Sequence, residues 1–316
     1  MRKGLILLVC VFFLTFTIII LFNSWKHSYI HLVTTDTLAP EDKVSAILDY
    51  SDLDSGAIVS MPWEHDHDFL EAIATNNAFL RMAAYRTVLP DPLPGEEYNV
   101  HLAAKMLCGT VIEPDQVFSH NETIGPYTES KGFKLGPTYI GSVMTTTVGG
   151  GVCKIASTLY NVTILSNLEI IERHPHSMPV PYVPYGQDAT VAYGMKDFKF
   201  RNNTSFPILI WAQGIDNSLY IAFYSQTKPP KVEWHHEIVK LVKRHQLYRN
   251  NITLPAGSEK VVVKGMDGGV VKTWISVKRN DGSYETKSLG QFYYSPIPDV
   301  IDKGSDTNIL PTHNLD

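Results

Sequence analysis

The chain has 316 residues, 44% of them hydrophobic and 19% charged, enough apolar material for a sizeable core and about two domains. That balance excludes a mini-protein, a disordered chain and a collagen-like repeat. With 27 Lys plus Arg against 32 Asp plus Glu, a formal charge of -5, and no sustained basic stripe, the sequence also argues against nucleic acid as a partner.

Gly4 to Phe22 form an apolar run interrupted only by Thr15 and Thr17, with Arg2 and Lys3 directly before it. As a helix it spans about 28 Å, close to the ~30 Å hydrocarbon core of a bilayer. A cleaved secretory signal starts the same way. This run, however, exceeds the ~7–15 residues of a signal core, and Asn23-Ser24-Trp25-Lys26-His27 lacks a small-residue cleavage site. Residues 1–22 therefore read as a signal-anchor in contact with the cytoplasmic membrane. The basic end lies in the cytoplasm and the rest of a single-pass protein outside it, secretion after cleavage being the alternative. Cys10 is then a membrane-embedded thiol, leaving Cys108 and Cys153, which either pair or stay free in an oxidising compartment.

Residues 23–80 read as a polar stalk followed by a helical segment. Asp66 or Asp68 caps a predicted helix to about Tyr85, with Phe69, Leu70, Ile73, Leu80 and Ala84 on one face. Pro90, Pro92 and Pro94 end it. A second helix is predicted over His101–Leu107, closed by Gly109. Val111 to Val148 read as short strands and turns. Gly149-Gly150-Gly151 then form a turn into a helix from Val152 to Leu165, with Val152, Ile155, Leu159 and Val162 at helical spacing. Strands follow at Leu168–Glu172, Ala189–Tyr193 and Asp197–Arg201, then a hairpin of Pro207–Gln213 and Ser218–Tyr224 across Gly214-Ile215-Asp216-Asn217. After Lys228-Pro229-Pro230, strands at Lys260–Lys264, Gly269–Lys278 and Tyr284–Leu289 form a small all-β unit with a hairpin turn at Asn280-Asp281-Gly282. The fold class is α+β, rich in antiparallel strands.

Cys153 stands out because it sits in the first helical turn behind three glycines. Unpaired N–H groups and the macrodipole there favour a thiolate. The glycines admit close approach of a ligand and present N–H groups to a developing oxyanion. A base and an orienting group are available in His174, His176, Asp188 and Asp197. The same residues also fit a purely structural role, as a buried cysteine, loop histidines and turn-capping aspartates. Glu64-His65-Asp66-His67-Asp68 and His235-His236 lack the spacing of metal ligands and read as solvated clusters, so no metal is expected. Asn121, in the turn Ser119–Glu122, borders a cleft. Tyr182, Tyr185 and Tyr193 are core or rim residues that also suit stacking on a sugar or a peptide.

Pro114–Glu122 with Gly125-Pro126, Val148–Cys153 with Ser157-Thr158-Leu159-Tyr160-Asn161, Glu172–Ser177, Asp188-Ala189-Thr190-Val191 and Phe200–Thr204 together resemble the VanW family. The resemblance covers roughly Arg81 to Ser225. It implies a VanW domain over residues 81–226 of a bacterial envelope protein, related to an accessory product of VanB-type vancomycin-resistance clusters. Residues 231–304 resemble a G5 domain, and 305–316 read as a flexible tail. The family pattern has Gln at the position of Lys154 and Phe at that of His120, while Cys108 matches no motif position. The expected function is a thiol enzyme of the cell envelope, acting by acyl transfer or hydrolysis on peptidoglycan peptides without an organic cofactor. In it Cys153 attacks, His176 or His174 is the base, Asp188 orients it, and Gly149, Gly150, Gly151, Tyr182 and Asn121 contact substrate. The alternative is a non-catalytic module gripping cell-wall glycan or peptide.

Overall fold

The computed structural model describes residues 55–89, 92–140 and 143–304. The expected membrane span at residues 4–22, the stalk beyond it and the tail at 305–316 lie outside the described residues. Among the described residues no helix is long and apolar enough to cross a membrane.

In chain order the elements are β1 (Gly56–Ala57), α1 (His67–Thr75), β2 (Leu80–Val88), α2 (Glu96–Leu107), β3 (Val111–Ile112), β4 (Val117–Ser119) and the short α3 (His120–Thr123). The hairpin strands β5 (Leu135–Ile140) and β6 (Val143–Val148) lead into α4 (Cys153–Leu165). Then come β7 (Glu169–Glu172), β8 (Lys199–Arg201), β9 (Ile208–Ile215) and β10 (Ser218–Ser225). The described residues finish with β11 (Val232–Val242), β12 (Gln246–Asn251), β13 (Glu259–Val263), β14 (Gly268–Lys278), β15 (Tyr284–Tyr294) and β16 (Asp299–Gly304). The main sheet has the order β1-β2-β10-β9-β3 and is antiparallel throughout. Smaller sheets are β4-β8-β7, β5-β6, β11-β14-β15 and β12-β16-β13; among the described residues only β12 and β16 run parallel. The fold is thus built mostly of antiparallel strands with a few helices.

Two expectations fail for physical reasons. The helix predicted to Tyr85 stops at Thr75, where Asn77 takes a left-handed turn at φ 50, and Leu80–Val88 pairs along its length with β10. Pairing against a finished strand outweighs weak helical spacing. Ala189–Tyr193 forms no strand. Its Ala189 N–H and C=O bond instead to the Ser157 hydroxyl on α4, so the ladder partners are replaced by a helix side chain.

The periodicity also understates α4. It reads as one-sided, yet Lys154 through Ile164 are all buried, with Ile155, Ala156, Leu159 and Val162 at 0% exposure in the main core. Several of its polar groups bond to the helix itself or to the segments packed on it. Thr158 Oγ1 donates to Lys154 O at 2.7 Å and meets Thr87 Oγ1 at 2.9 Å. Asn161 Nδ2 donates to Ser157 O and Gln187 O, both at 2.8 Å. A helix buried on every side holds whatever its first turn presents with little freedom. A second core lies under α1, where Trp63 Nε1 donates to Tyr224 Oη at 3.0 Å and Phe69 packs on Tyr224.

Candidate active site

The start of α4 is set by a contact that only glycine allows. A Cβ on Gly150 would lie 2.2 Å from Gly136 C and O, and one on Gly136 would lie 2.5 Å from Gly150 O. Hairpin and helix start therefore touch backbone to backbone. Asn99, fully buried in α2, fastens them: its Nδ2 donates to Lys134 O at 2.8 Å and Gly150 O at 2.9 Å, and its Oδ1 accepts from Lys134 N at 2.8 Å. Gly151, at φ +101, completes the turn against Glu96.

Behind the helix start, residues 187–189 are strapped to α4 by the Asn161 and Ser157 bonds already described. The strap places the Asp188 carboxylate, 1% exposed, beside the His176 loop. Asp188 Oδ2 accepts from His176 Nδ1 at 2.7 Å and from the His176 backbone N–H at 2.6 Å. Its Oδ1 accepts from Arg173 Nη2 at 3.1 Å and from Tyr294 Oη at 2.6 Å. With Nδ1 so engaged, the other imidazole nitrogen is left for Cys153, which lines the same cavity as His176. Sγ also lies 3.6 Å from Val191 O.

The electrostatics match this order. Burial pushes the Cys153 thiol up, but the His176 imidazole outweighs it through hydrogen bond and charge, and the thiol ends below its ordinary value. Burial pushes His176 down, while Asp188 and the Cys153 sulfur raise it to about 9. Burial pushes Asp188 up, and His176 and Arg173 bring it down to about 2. Imidazolium and carboxylate are therefore the favoured forms at neutral pH, and the thiol is shifted toward its thiolate. Cys153 and Cys108 are both free thiols, so the disulfide alternative is not what the structure holds. Burial raises Cys108 above its usual range.

Cys153 opens into a cavity of about 460 Å³. Apolar side chains including Leu89, Met178, Val180, Val191 and Met195 form most of its wall, with Glu96, Lys196 and Thr138 as polar members. Gly151, His176 and Tyr182 also line it. Among the described residues, the N–H groups of Gly150, Val152 and Lys154 go to turn carbonyls. Those of Gly151 and Cys153 take no such acceptor and are the ones free to face an oxyanion. A hollow of about 510 Å³ among the C-terminal strands is lined by Lys243, Arg244, Asp267 and Asp299. Those charges pair with one another.

The structure thus brings Cys153, His176, Asp188, Gly151 and Tyr182 together. It places the others elsewhere. His174 Nε2 meets Glu172 Oε1 at 2.9 Å on the outer side of the loop, away from the thiol, so it does not share the base position with His176. Asn121 is pinned to Lys196 O at 2.9 Å through Nδ2 and to Asp197 Oδ1 at 2.9 Å through its backbone N–H. It braces the cavity wall instead of lining it. Gly149 packs against Tyr127, and Gly150 against Gly136. Lys154 adds no charge at the thiol, because its Nζ turns away to Asn217 O at 2.8 Å; burial brings it down to about 8. His120 is fully buried, its Nδ1 2.8 Å from Tyr127 Oη, and burial lowers it to about 4. In the acidic segment, Asp66 caps α1 and His67 is exposed. Arg173, Ser157, Asn161 and Tyr294 were not anticipated. The first three lie inside quoted motifs, whereas Tyr294 carries no local signal at all.

Fold and site together define a thiol-centred α+β domain in which a wholly buried helix carries a Cys–His–Asp constellation. Residues 95–224 match the family described as "VanW like protein". Over these residues the chain is similar to that family. It is 36% identical to "Uncharacterized protein YoaR" of Bacillus subtilis (strain 168), over 51% of this chain and 52% of that one. To "Vancomycin B-type resistance protein VanW" of Enterococcus faecalis (strain ATCC 700802 / V583) it is 31% identical, over 42% of this chain and 50% of that one. The chain spans about half the length of these curated relatives. Two solved structures, "Crystal structure of HP0197-G5" and "IgA1 Protease G5 domain structure", align at TM-scores of 0.15 and 0.17 with 20% and 18% identity. They cover 23% and 25% of this chain and 99% and 95% of their own.

Proposed function

We propose that the protein is a cysteine-dependent acyl transferase or hydrolase of the bacterial cell envelope, acting on peptide stems of the wall. The observation that carries this is the Cys153–His176–Asp188 chain opening into a cavity of about 460 Å³. The Cys153 thiolate adds to a peptide carbonyl while the N–H groups of Gly151 and Cys153 receive the oxyanion. Collapse breaks the C–N bond, and His176 gives its proton to the departing amine. The thioester is then attacked by an amine or by water, whose proton returns to His176 as the thiolate leaves. Asp188 holds the imidazole in the orientation both steps need. The largely apolar walls exclude solvent from the thioester, which favours transfer to a bound amine. The expected location is outside the cytoplasmic membrane, anchored through residues 4–22. There the cleft meets peptidoglycan.

The test is incubation of the full chain with isolated wall peptides, read by mass spectrometry. A thioester on Cys153 and new or cleaved peptide products are expected, both lost in Cys153→Ala. Products that persist in Cys153→Ala, or no adduct on a folded wild-type chain, would overturn the reading in favour of a binding module.

A further inference from the structure

The carboxylate that orients His176 is not held by the family-matched residues alone. Tyr294, 1% exposed at the end of β15, donates its hydroxyl proton to Asp188 Oδ1 at 2.6 Å. The same hydroxyl accepts from the Gly186 N–H at 2.9 Å, so its one proton is directed at the carboxylate. The ring is fixed against Tyr185, with centroids 5.2 Å apart. Next along the chain, the Ser295 N–H donates at 2.7 Å to the carbonyl of Ser177, the residue after the base. The Arg173 guanidinium, which shares Asp188 Oδ1, stacks on Phe292 of the same strand at 4.4 Å. Three contacts from β15 and its exit thus bear on the His176 loop and on the Asp188 carboxylate.

We infer that Tyr294 is a positioning residue of the thiol site, and that the C-terminal β unit completes the Cys153–His176–Asp188 chain by fixing the Asp188 carboxylate from behind. This rests on the reading of Cys153 as a nucleophile. Without the hydroxyl, Asp188 is held on that side by Arg173 alone and turns toward it, weakening its grip on His176. The imidazolium then loses support, and with it the thiolate. The titratable and charged groups around the pair are Arg173 and Tyr294 on Asp188, and Tyr182, Tyr127 and Glu96 about the cavity. Burial keeps the two tyrosines neutral and raises Glu96 above its ordinary value. His176 and Asp188 are the titratable groups that act on the thiol directly, with Lys196 and Glu96 farther along the cavity wall.

The experiment is the rate of iodoacetamide alkylation of Cys153 from pH 5 to 9, followed by mass spectrometry on the full chain. It reads ionisation and needs no substrate. Tyr294→Phe keeps the ring and removes the donor, and its midpoint should rise by about one pH unit, the order expected for one charge-assisted hydrogen bond. Arg244→Gln, which breaks ion pairs with Asp267 and Asp299 inside the C-terminal unit, should lower the melting temperature with the midpoint unmoved. If Tyr294→Phe does not fold, 3,5-difluorotyrosine at position 294 keeps the shape while changing the donor, and the midpoint should again move. A low wild-type midpoint that stays put in the Tyr294 variants overturns the positioning role alone. Equal displacement by Arg244→Gln would overturn it too. An ordinary wild-type midpoint near ~8.5 would sink both this inference and the nucleophile.

Discussion

Replacing Asp188 by Asn tests the site at its most buried point. The carboxylate accepts four hydrogen bonds, two from His176 and one each from Arg173 and Tyr294. An amide can accept through one oxygen only, and its NH2 must face a donor. Arg173, 7% exposed at its side chain, is left beside a neutral group. Removing one partner of a buried pair costs about 3–5 kcal/mol, and the surviving acceptor places this change near 3. At this size that lowers the melting temperature by roughly 6–12 °C. The pH dependence carries a second signature. His176 is raised from 6.5 to about 9 in the fold, so its contribution is fully present below 6.5 and is lost as pH rises through 9. It amounts to about 3 kcal/mol. Asp188 is lowered from 3.8 to about 2, so its contribution is present above 3.8 and lost as pH falls through 2. In Asp188→Asn both slopes should flatten and the Cys153 alkylation midpoint should climb toward that of a free thiol. Differential scanning calorimetry at pH 5, 7 and 9 beside the alkylation profile measures both. Wild-type melting behaviour combined with a wild-type alkylation profile would refute the argument.

Gly150→Ala should cost about 2 kcal/mol or prevent folding, because the methyl group drives the helix start off the hairpin; urea titration checks it, and unchanged stability would show that the two backbones are not in contact. His120→Phe should stabilise the chain increasingly below pH 6.5. His120 is lowered from 6.5 to about 4 by burial, so unfolding takes up a proton that the fold refuses and the wild type weakens as pH drops through that range. The His120 share of the pH 5 to pH 7 change in unfolding free energy, about 2 kcal/mol, should be missing in the variant. Cys153 should alkylate at least ~10-fold faster than Cys108 at pH 7, since one thiol is lowered and the other raised; equal rates by peptide mass mapping would contradict the opposed environments.

How much of this was legible depends on where the determining contacts lie in the chain. The Gly149–Gly151 turn, the helix behind it and the hairpin at Asp216-Asn217 are local, and their residues state them. Cys153 and His176 were legible as chemistry because a helix start and a strand exit announce themselves. Choosing His176 over His174 was not, because the two differ only in which carboxylate each one meets. The helix predicted through Tyr85 and the strand predicted at Ala189 both failed where a distant segment supplied the hydrogen-bond partners. The strands Val232–Val242 and Asp299–Gly304 were missed because their charged residues break the alternation that marks a half-buried strand. The likeness to G5 domains did not supply them.

The Tyr294–Asp188 bond also orders events in time. Cys153 leaves the ribosome 141 residues before Tyr294 does. Until that last strand is in place the carboxylate behind His176 is incompletely held, and the thiol remains an ordinary one. A nascent or partly folded chain thus carries a cysteine of unremarkable reactivity. Its sensitivity to oxidants and electrophiles arrives only with completion of the fold.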